Sequence, residues 1–430
     1  MSEVLYWLSK HGNARRTSLL LFGIAFVIRL AGLLVFPETH LSGNAKESII
    51  AGAALIRSGQ FVGNADYPML IPPLTALFTA VVQSFFGDGL LAVKLAQIIL
   101  DACTVVLVFQ IGSRTIGQLP AALGAAFLTV YPFSVFAPLY IGTEALFSFL
   151  LAAAILLFTM GILRNAAGLF FVSGLILGLA TLTRGTTLFL PIFLLAFYIR
   201  HEHDRTRSKA ATAGRSAIFV IAFALALSPW IIRNIVVLDA FIPSSTSNGP
   251  MLHGSSEKFW LIGDRERELP KYFDYLGNEK GIPRPANPRP TWVEKDRYYK
   301  LAAVEMYKDR WINDPWSFAP FLAKKFLRLW YGTESGANQG IVILINLPIY
   351  LLAMVGLRSY MRSENQLGGV LIVLLAYFVV IHVLVFGYFR YMLPVMPYVI
   401  IFAAYGSLSL MRKLFGPEFQ RFGGQRIASG

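Results

Sequence analysis

A scattered set of charged residues stands where long apolar runs begin or end. Glu47, Asp66 and Glu144 offer carboxylates that could take a proton from a hydroxyl or hold a sugar, and Glu38 adds an acid after the first run. Arg184, Arg233 and Arg390 offer planar, permanently charged groups suited to bidentate contact with a phosphate, with Lys94 as a further cation. Brought to one face, these residues would hold an anionic lipid headgroup while a carboxylate meets a hydroxyl. Each also has a plainer reading. Glu47 could be a solvated charge on a juxtamembrane helix, Glu144 an acid favoured by a helix dipole, and the arginines chains that snorkel to lipid headgroups.

The elements that must position them follow from composition. Of 430 residues, 56% are hydrophobic and 14% charged, more apolar surface than a water-soluble interior could hide, so the chain reads as an all-α polytopic membrane protein. One cysteine, Cys103, excludes an intramolecular disulfide, and 36 Gly and 22 Pro recur without period. The net charge of +14 gathers at the ends of apolar segments, which points to membrane orientation and lipid contact rather than nucleic acid.

Run length gives ten expected spans: 17–36, 90–112, 119–140, 145–162, 167–183, 186–199, 216–236, 340–357, 367–387 and 391–411. Basic flanks such as Arg15, Arg16 and the cluster from Arg200 to Arg215 then place both termini in the cytoplasm, with the N-terminal run a start-transfer helix rather than a removable signal. The segment 71–87 is apolar but short and opens on Pro72 and Pro73. It is expected to lie in the outer interface or dip partway in, because a crossing would carry the basic cluster outside. Three regions result: a transmembrane module at 1–236 with a first outer loop at 37–89, an outer region at 237–339, and C-terminal spans with a tail at 340–430. Within the outer region a Pro-rich loop is expected at 281–290 and helices at 294–312 and 316–331. Inside the spans, Arg29 and Asp101 could serve each other, Lys94 lies near an outer end, and His382 suggests an interhelical hydrogen bond.

Read in order, GNAKESIIAGAALIRSGQF (43–61), IPPL (71–74), LYIGTEALFSFLL (139–151), LATLTRGTTLFLP (179–191), SPWIIRN (228–234) and FRYMLPVMP (389–397) resemble the GT-C class of membrane glycosyltransferases. The likeness is to bacterial glycosyltransferase family 39 proteins related to protein O-mannosyltransferases and the lipid A aminoarabinose transferase. It implies a GT-C fold with about ten transmembrane helices, outer-face juxtamembrane helices and a large outer loop. It also implies a polyprenyl-phosphate-sugar donor, a lipid, glycan or protein acceptor, inversion at the anomeric carbon, and a site facing the periplasm of a bacterial inner membrane.

Carried over residue by residue, the resemblance makes Glu144 the second family acid, and Arg184, Arg233 and Arg390 the phosphate-binding cations. The family's acid after the first span is Asn44 here, and an amide cannot act as a general base. Glu47 lies one helical turn on and could supply the carboxylate; otherwise Asp66 or Glu144 does so, or Asn44 marks an altered site. The lysine that some relatives carry before the juxtamembrane helix is Ile71 here, and Lys94 is a candidate substitute. No cofactor is implied, although a divalent metal between Glu47 and Glu144 is compatible with paired carboxylates. Trp260, Tyr272, Trp292 and Tyr298 are aromatics available to stack on a sugar. Two rival readings are an O-antigen polymerase or ligase and a polyprenyl-lipid transporter, the latter expecting inverted repeats and charges at mid-bilayer.

Overall fold

The computed structural model describes residues 14–36, 43–61, 71–203, 208–246, 277–278, 281–282, 291–333, 336–363, 366–385 and 387–416. Asp66, Glu38, Trp260, Tyr272 and most of the Pro-rich loop lie outside these residues, as do the side chains of Asn44 and Trp292. Among the described residues the chain is helical throughout. Its first part runs through α1 (Ala14–Val35), α2 (Gly43–Ser58), α3 (Pro73–Phe86), α4 (Leu90–Thr115) and α5 (Gln118–Val130), which bends into α6 (Pro132–Phe136). There follow α7 (Glu144–Arg164), α8 (Ala167–Thr183), α9 (Leu190–His203) and α10 (Lys209–Leu238). The second part holds α11 (Trp292–Asn313), α12 (Pro315–Tyr331), α13 (Gln339–Tyr360), α14 (Gly369–Leu384) and α15 (Met396–Phe415).

Six helices, α1, α4, α7, α10, α13 and α15, are long and apolar enough to cross a membrane, and the bent pair at 118–130 and 132–139 makes a seventh if taken as one span. Leu20, Val236 and Leu344 are 62, 77 and 77% exposed, a surface that hydrocarbon solvates and water does not. The chain is a multi-pass membrane protein. Its core is a buried cluster in which Phe158 meets Phe170, Tyr198 and Phe219 and so joins α7, α8, α9 and α10. In the second part α13 packs on α15, and α15 in turn packs on α5, which closes the bundle.

All ten expected spans fall on helices, with corrections to the extent of some of them. α8 coincides with the expected 167–183, and α9 has the 14 residues of the expected 186–199 but begins at Leu190. α14 has 16 residues and stops at Leu384, short of the expected 387, and the expected span at 119–140 is broken by a 58° bend. The physical reason is local. α5 stops before Pro132, which has no amide hydrogen to continue the ladder. α8 and α14 give way to irregular backbone that carries Arg184 and leads to Arg390. The charged turns therefore sit where α8 and α14 end.

α3 has 14 residues, about 21 Å, which does not span a hydrocarbon core of about 30 Å. It packs on α2 at a crossing so close that a Cβ added to Gly52 would stand 2.2 Å from the carbonyl oxygen of Ala76. α11 begins with a capping box: the Glu294 amide donates to Thr291 Oγ1 at 3.2 Å, and the Thr291 amide donates to Glu294 Oε2 at 2.7 Å. Both expected helices after the Pro-rich segment are present as α11 and α12.

Candidate active site

Glu144 opens α7, where the unpaired amides of the first turn favour a carboxylate. Its Oε1 accepts a hydrogen bond from Arg390 Nε at 2.9 Å and lies 3.9 Å from Arg184 Nη2. Both arginines arrive from places where regular helix has ended. Arg184 is extended, with φ of −151°, between α8 and a 3-10 turn at Gly185–Thr187. The hydroxyl of Tyr377 in α14 donates to the carbonyl of Thr186 in that turn. Arg390 sits in a second 3-10 turn, Phe389–Met392, fastened by the Phe389 amide to the carbonyl of Gly332 at 2.9 Å.

Aromatic rings flank Arg184. The Arg184 guanidinium lies 5.7 Å from the Phe147 ring centroid and 5.3 Å from that of Tyr391, and Tyr391 stacks on His382 at 5.4 Å. Side-chain exposure is 14% for Glu144 and 12% for Arg184 but 46% for Arg390, so Arg390 forms the open edge of the cluster. The plainer reading of Arg184 as a headgroup-seeking chain does not fit its burial. Sequence reasoning missed Phe147 and Tyr391, although Tyr391 stands beside Arg390 in the FRYM stretch. It also missed Gly142, where a Cβ would come within 2.5 Å of Glu144 Oε2.

Arg233 belongs to a neighbouring group. Its Nη2 donates to the Phe61 carbonyl at 3.3 Å and its Nη1 to Asn234 Oδ1 at 3.1 Å, while the guanidinium covers the Trp230 ring at 5.2 Å. It thus ties the end of α10 to the chain that follows α2. Lys94 is buried near the start of α4. Glu47 points inward from α2 at 9% exposure while Lys46 faces out, which corrects the reading of a solvated surface charge. Beside it, Ala45 packs with Val93 and with Ile141, three residues before Glu144. Asn44 occupies the first turn of the same helix. Tyr298 is buried against Ala302 rather than standing open to stack on a sugar. His382 Nδ1 donates to the Phe378 carbonyl at 2.8 Å, one turn back in its own helix, instead of the interhelical bond expected.

Among the described residues no group of three or more His, Cys, Asp or Glu side chains gathers to hold a metal ion. Glu144 faces two guanidinium groups, surroundings that repel a divalent cation and do not suit the metal that a Glu47–Glu144 pair of carboxylates would allow.

Residues 71–232 match the sequence model of a family described as dolichyl-phosphate-mannose-protein mannosyltransferase, a stretch that includes Lys94, Glu144 and Arg184. The fold is that of the GT-C membrane glycosyltransferases. The apo oligosaccharyltransferase of Archaeoglobus fulgidus superposes with a TM-score of 0.61 at 13% identity, over 98% of this chain and 53% of that one. The same organism's oligosaccharyltransferase AglB, in complex with an inhibitory peptide and a dolichol-phosphate, gives 0.58 at 13% identity with the same coverage. The chain thus spans about half the length of these structures. ArnT from Cupriavidus metallidurans bound to undecaprenyl phosphate gives 0.41 at 16% identity, over 92% of this chain and 79% of that one. No curated protein matches the sequence.

Proposed function

We propose that this chain is a glycosyltransferase that takes a sugar from a polyprenyl-phosphate-linked donor and passes it to a hydroxyl of a lipid, glycan or protein acceptor, with inversion. The observation that carries this reading is the convergence of Arg184 and Arg390 on Glu144 where α8 and α14 stop short. A polyprenyl phosphate keeps its tail in hydrocarbon and presents its phosphate at the membrane edge. Fixed guanidinium groups there meet the charge that develops as the phosphate leaves. The family match and the dolichol-phosphate held by the archaeal oligosaccharyltransferase support the same donor chemistry.

In the reaction the acceptor oxygen attacks the anomeric carbon as the bond from that carbon to the phosphate oxygen breaks. The bonding pair departs with the phosphate, and the acceptor's proton moves to a carboxylate. We assign that carboxylate to Glu47, which α2 turns inward beside the approach to Glu144. Glu144, already accepting from Arg390, anchors and aims the two arginines. Lys94 and Arg233 are assigned to the surrounding positive rim. The competing assignments are Asp66 or Glu144 as base and an altered site at Asn44; Glu47→Gln with turnover retained would favour them, and Asn44→Asp singles out the last.

The same reading sets the chain in a bacterial inner membrane, with both termini cytoplasmic and the site facing the periplasm. It also makes the modules at 1–236 and 340–430 act jointly, since Glu144 and Arg184 come from one and Arg390 from the other, with 237–339 above them. Removing the gene tests the function: a polyprenyl-phosphate sugar should accumulate and an envelope glycan or glycosylated acceptor should lose that sugar. Unchanged pools of both contradict it. A reporter active only outside the cytoplasm should work when fused at Asn287 and fail at Thr206, and the reverse pattern contradicts the orientation.

A further inference from the structure

The bend between α5 and α6 is held by a side chain from another helix. Pro132 breaks the ladder, and the carbonyl of Thr129, which a continuing helix would tie to the Phe133 amide, instead accepts Arg29 Nη1 at 2.9 Å. The same guanidinium donates through Nη2 to Ser134 Oγ at 3.0 Å, through Nη1 to its own helix at Ala25 O at 3.2 Å, and through Nε to Asp101 Oδ2 at 2.5 Å. One fully buried cation on α1 therefore grips both sides of a 58° bend and is itself fixed by α4.

Apolar packing also surrounds the bend, where Leu128 and Tyr131 belong to the core and Phe133 packs against it. A small cavity of about 30 Å³ remains beside the bend, with Asp101, Ser134 and Glu144 in its lining together with Leu128, Phe133 and Met396. Beyond the bend, the Phe133 ring meets Phe389 edge to face at 4.8 Å, and the next residue, Arg390, donates to Glu144 at 2.9 Å. Contacts thus run without a gap from Arg29 to the bend, from Phe133 to the Phe389–Met392 turn, and from that turn to the charged cluster.

We infer that Arg29 and Asp101 are positioning residues for the transfer site, fixing the bend so that Phe133 holds Arg390 on Glu144. The inference rests on the proposed function only for the identity of the anion that Arg390 meets. Replacing a buried ion pair with apolar residues is often tolerated, so a double variant separates folding from positioning.

The test uses the full chain in lipid nanodiscs, as wild type, Arg29→Met/Asp101→Leu and Phe133→Leu. Thermal unfolding, undecaprenyl phosphate binding, and the kcat and donor KM of sugar transfer are measured on each. The double variant should unfold within a few degrees of wild type yet bind undecaprenyl phosphate at least tenfold more weakly, with donor KM raised more than kcat is lowered. Phe133→Leu, which leaves the ion pair intact, should shift binding and KM in the same direction, and it decides the matter if the double variant does not fold. Wild-type binding and KM in whichever of these variants folds would overturn the inference and leave the pair a purely structural one. If wild type binds the lipid phosphate but transfers no sugar, the proposed function fails while the binding comparison still decides the inference. If wild type binds no lipid phosphate, both are overturned.

Discussion

Two ion-paired clusters in one bundle differ in how completely they are closed. At Arg29 the guanidinium is 0% exposed, and its donors reach Asp101, Ala25, Thr129 and Ser134 at hydrogen-bond distance. At Glu144 one arginine is 12% and the other 46% exposed, and both sit on turns between helices rather than within them. A closed pair contributes little over an apolar replacement but is expensive to break by halves. An open one can exchange a carboxylate for a phosphate at its edge. Charge in an apolar bundle is therefore not in itself the mark of a site; access at a helix end is.

The largest effect expected at the open site concerns proton transfer. Glu47→Gln should lower turnover by about 100- to 10,000-fold with donor binding intact, because glutamine keeps the shape but cannot take the proton. Steady-state transfer and lipid-phosphate binding on the same preparation check this. If Asn44→Asp raises activity sharply while Glu47→Gln is tolerated, position 44 is the catalytic one and the assignment of Glu47 is wrong.

Stability should separate the clusters in the opposite sense. Arg29→Leu leaves Asp101 buried without its ion-pair partner and should cost about 3–5 kcal/mol, whereas Arg390→Ala removes a half-exposed partner and should cost about 1 kcal/mol or less. Denaturation in a mild detergent measures both. Equal costs would erase the distinction between closed and open.

A third charge, Lys325 on α12 outside the spans, extends the comparison to pH. Its Nζ donates to the Tyr307 hydroxyl at 2.8 Å and to the Leu384 carbonyl at 3.2 Å, and burial brings its pKa down from 10.5 to about 7. Between pH 7 and 10.5 the unfolded chain binds a proton that the folded chain does not, so this residue makes stability rise with pH across that window. The burial penalty is fully present below pH 7. Lys325→Met should flatten that slope in a series of melting temperatures, and an unchanged slope would mean that Lys325 does not titrate there.

Much of the helical plan was legible because apolar run length is a local property. The Arg29–Asp101 pair was legible too, since two charges in apolar runs need partners. The bend at Pro132 falls inside the expected span at 119–140, because apolar run length does not register the missing proline amide that decides the backbone. The end of α8 at Thr183 agrees with the expected span, whereas α14 ends at Leu384 rather than 387, because the apolar pattern runs on past the last hydrogen-bonded turn. That Glu144 and Arg390 share one face was legible, but their direct hydrogen bond was not, since 246 positions separate them and tertiary packing, including that of α15 on α5 and of Phe389 on Phe133, brings them together.

In the proposed function Arg184 and Arg390 meet the phosphate of a polyprenyl lipid. The most direct measurement is the dissociation constant of undecaprenyl phosphate for the full chain in nanodiscs, as wild type, Arg184→Ala and Arg390→Ala. Loss of the largely buried Arg184 should weaken binding by about 2–5 kcal/mol, roughly 30-fold to several thousandfold, and loss of the half-exposed Arg390 by a smaller factor in the same direction. Wild-type affinity in both variants would contradict the account.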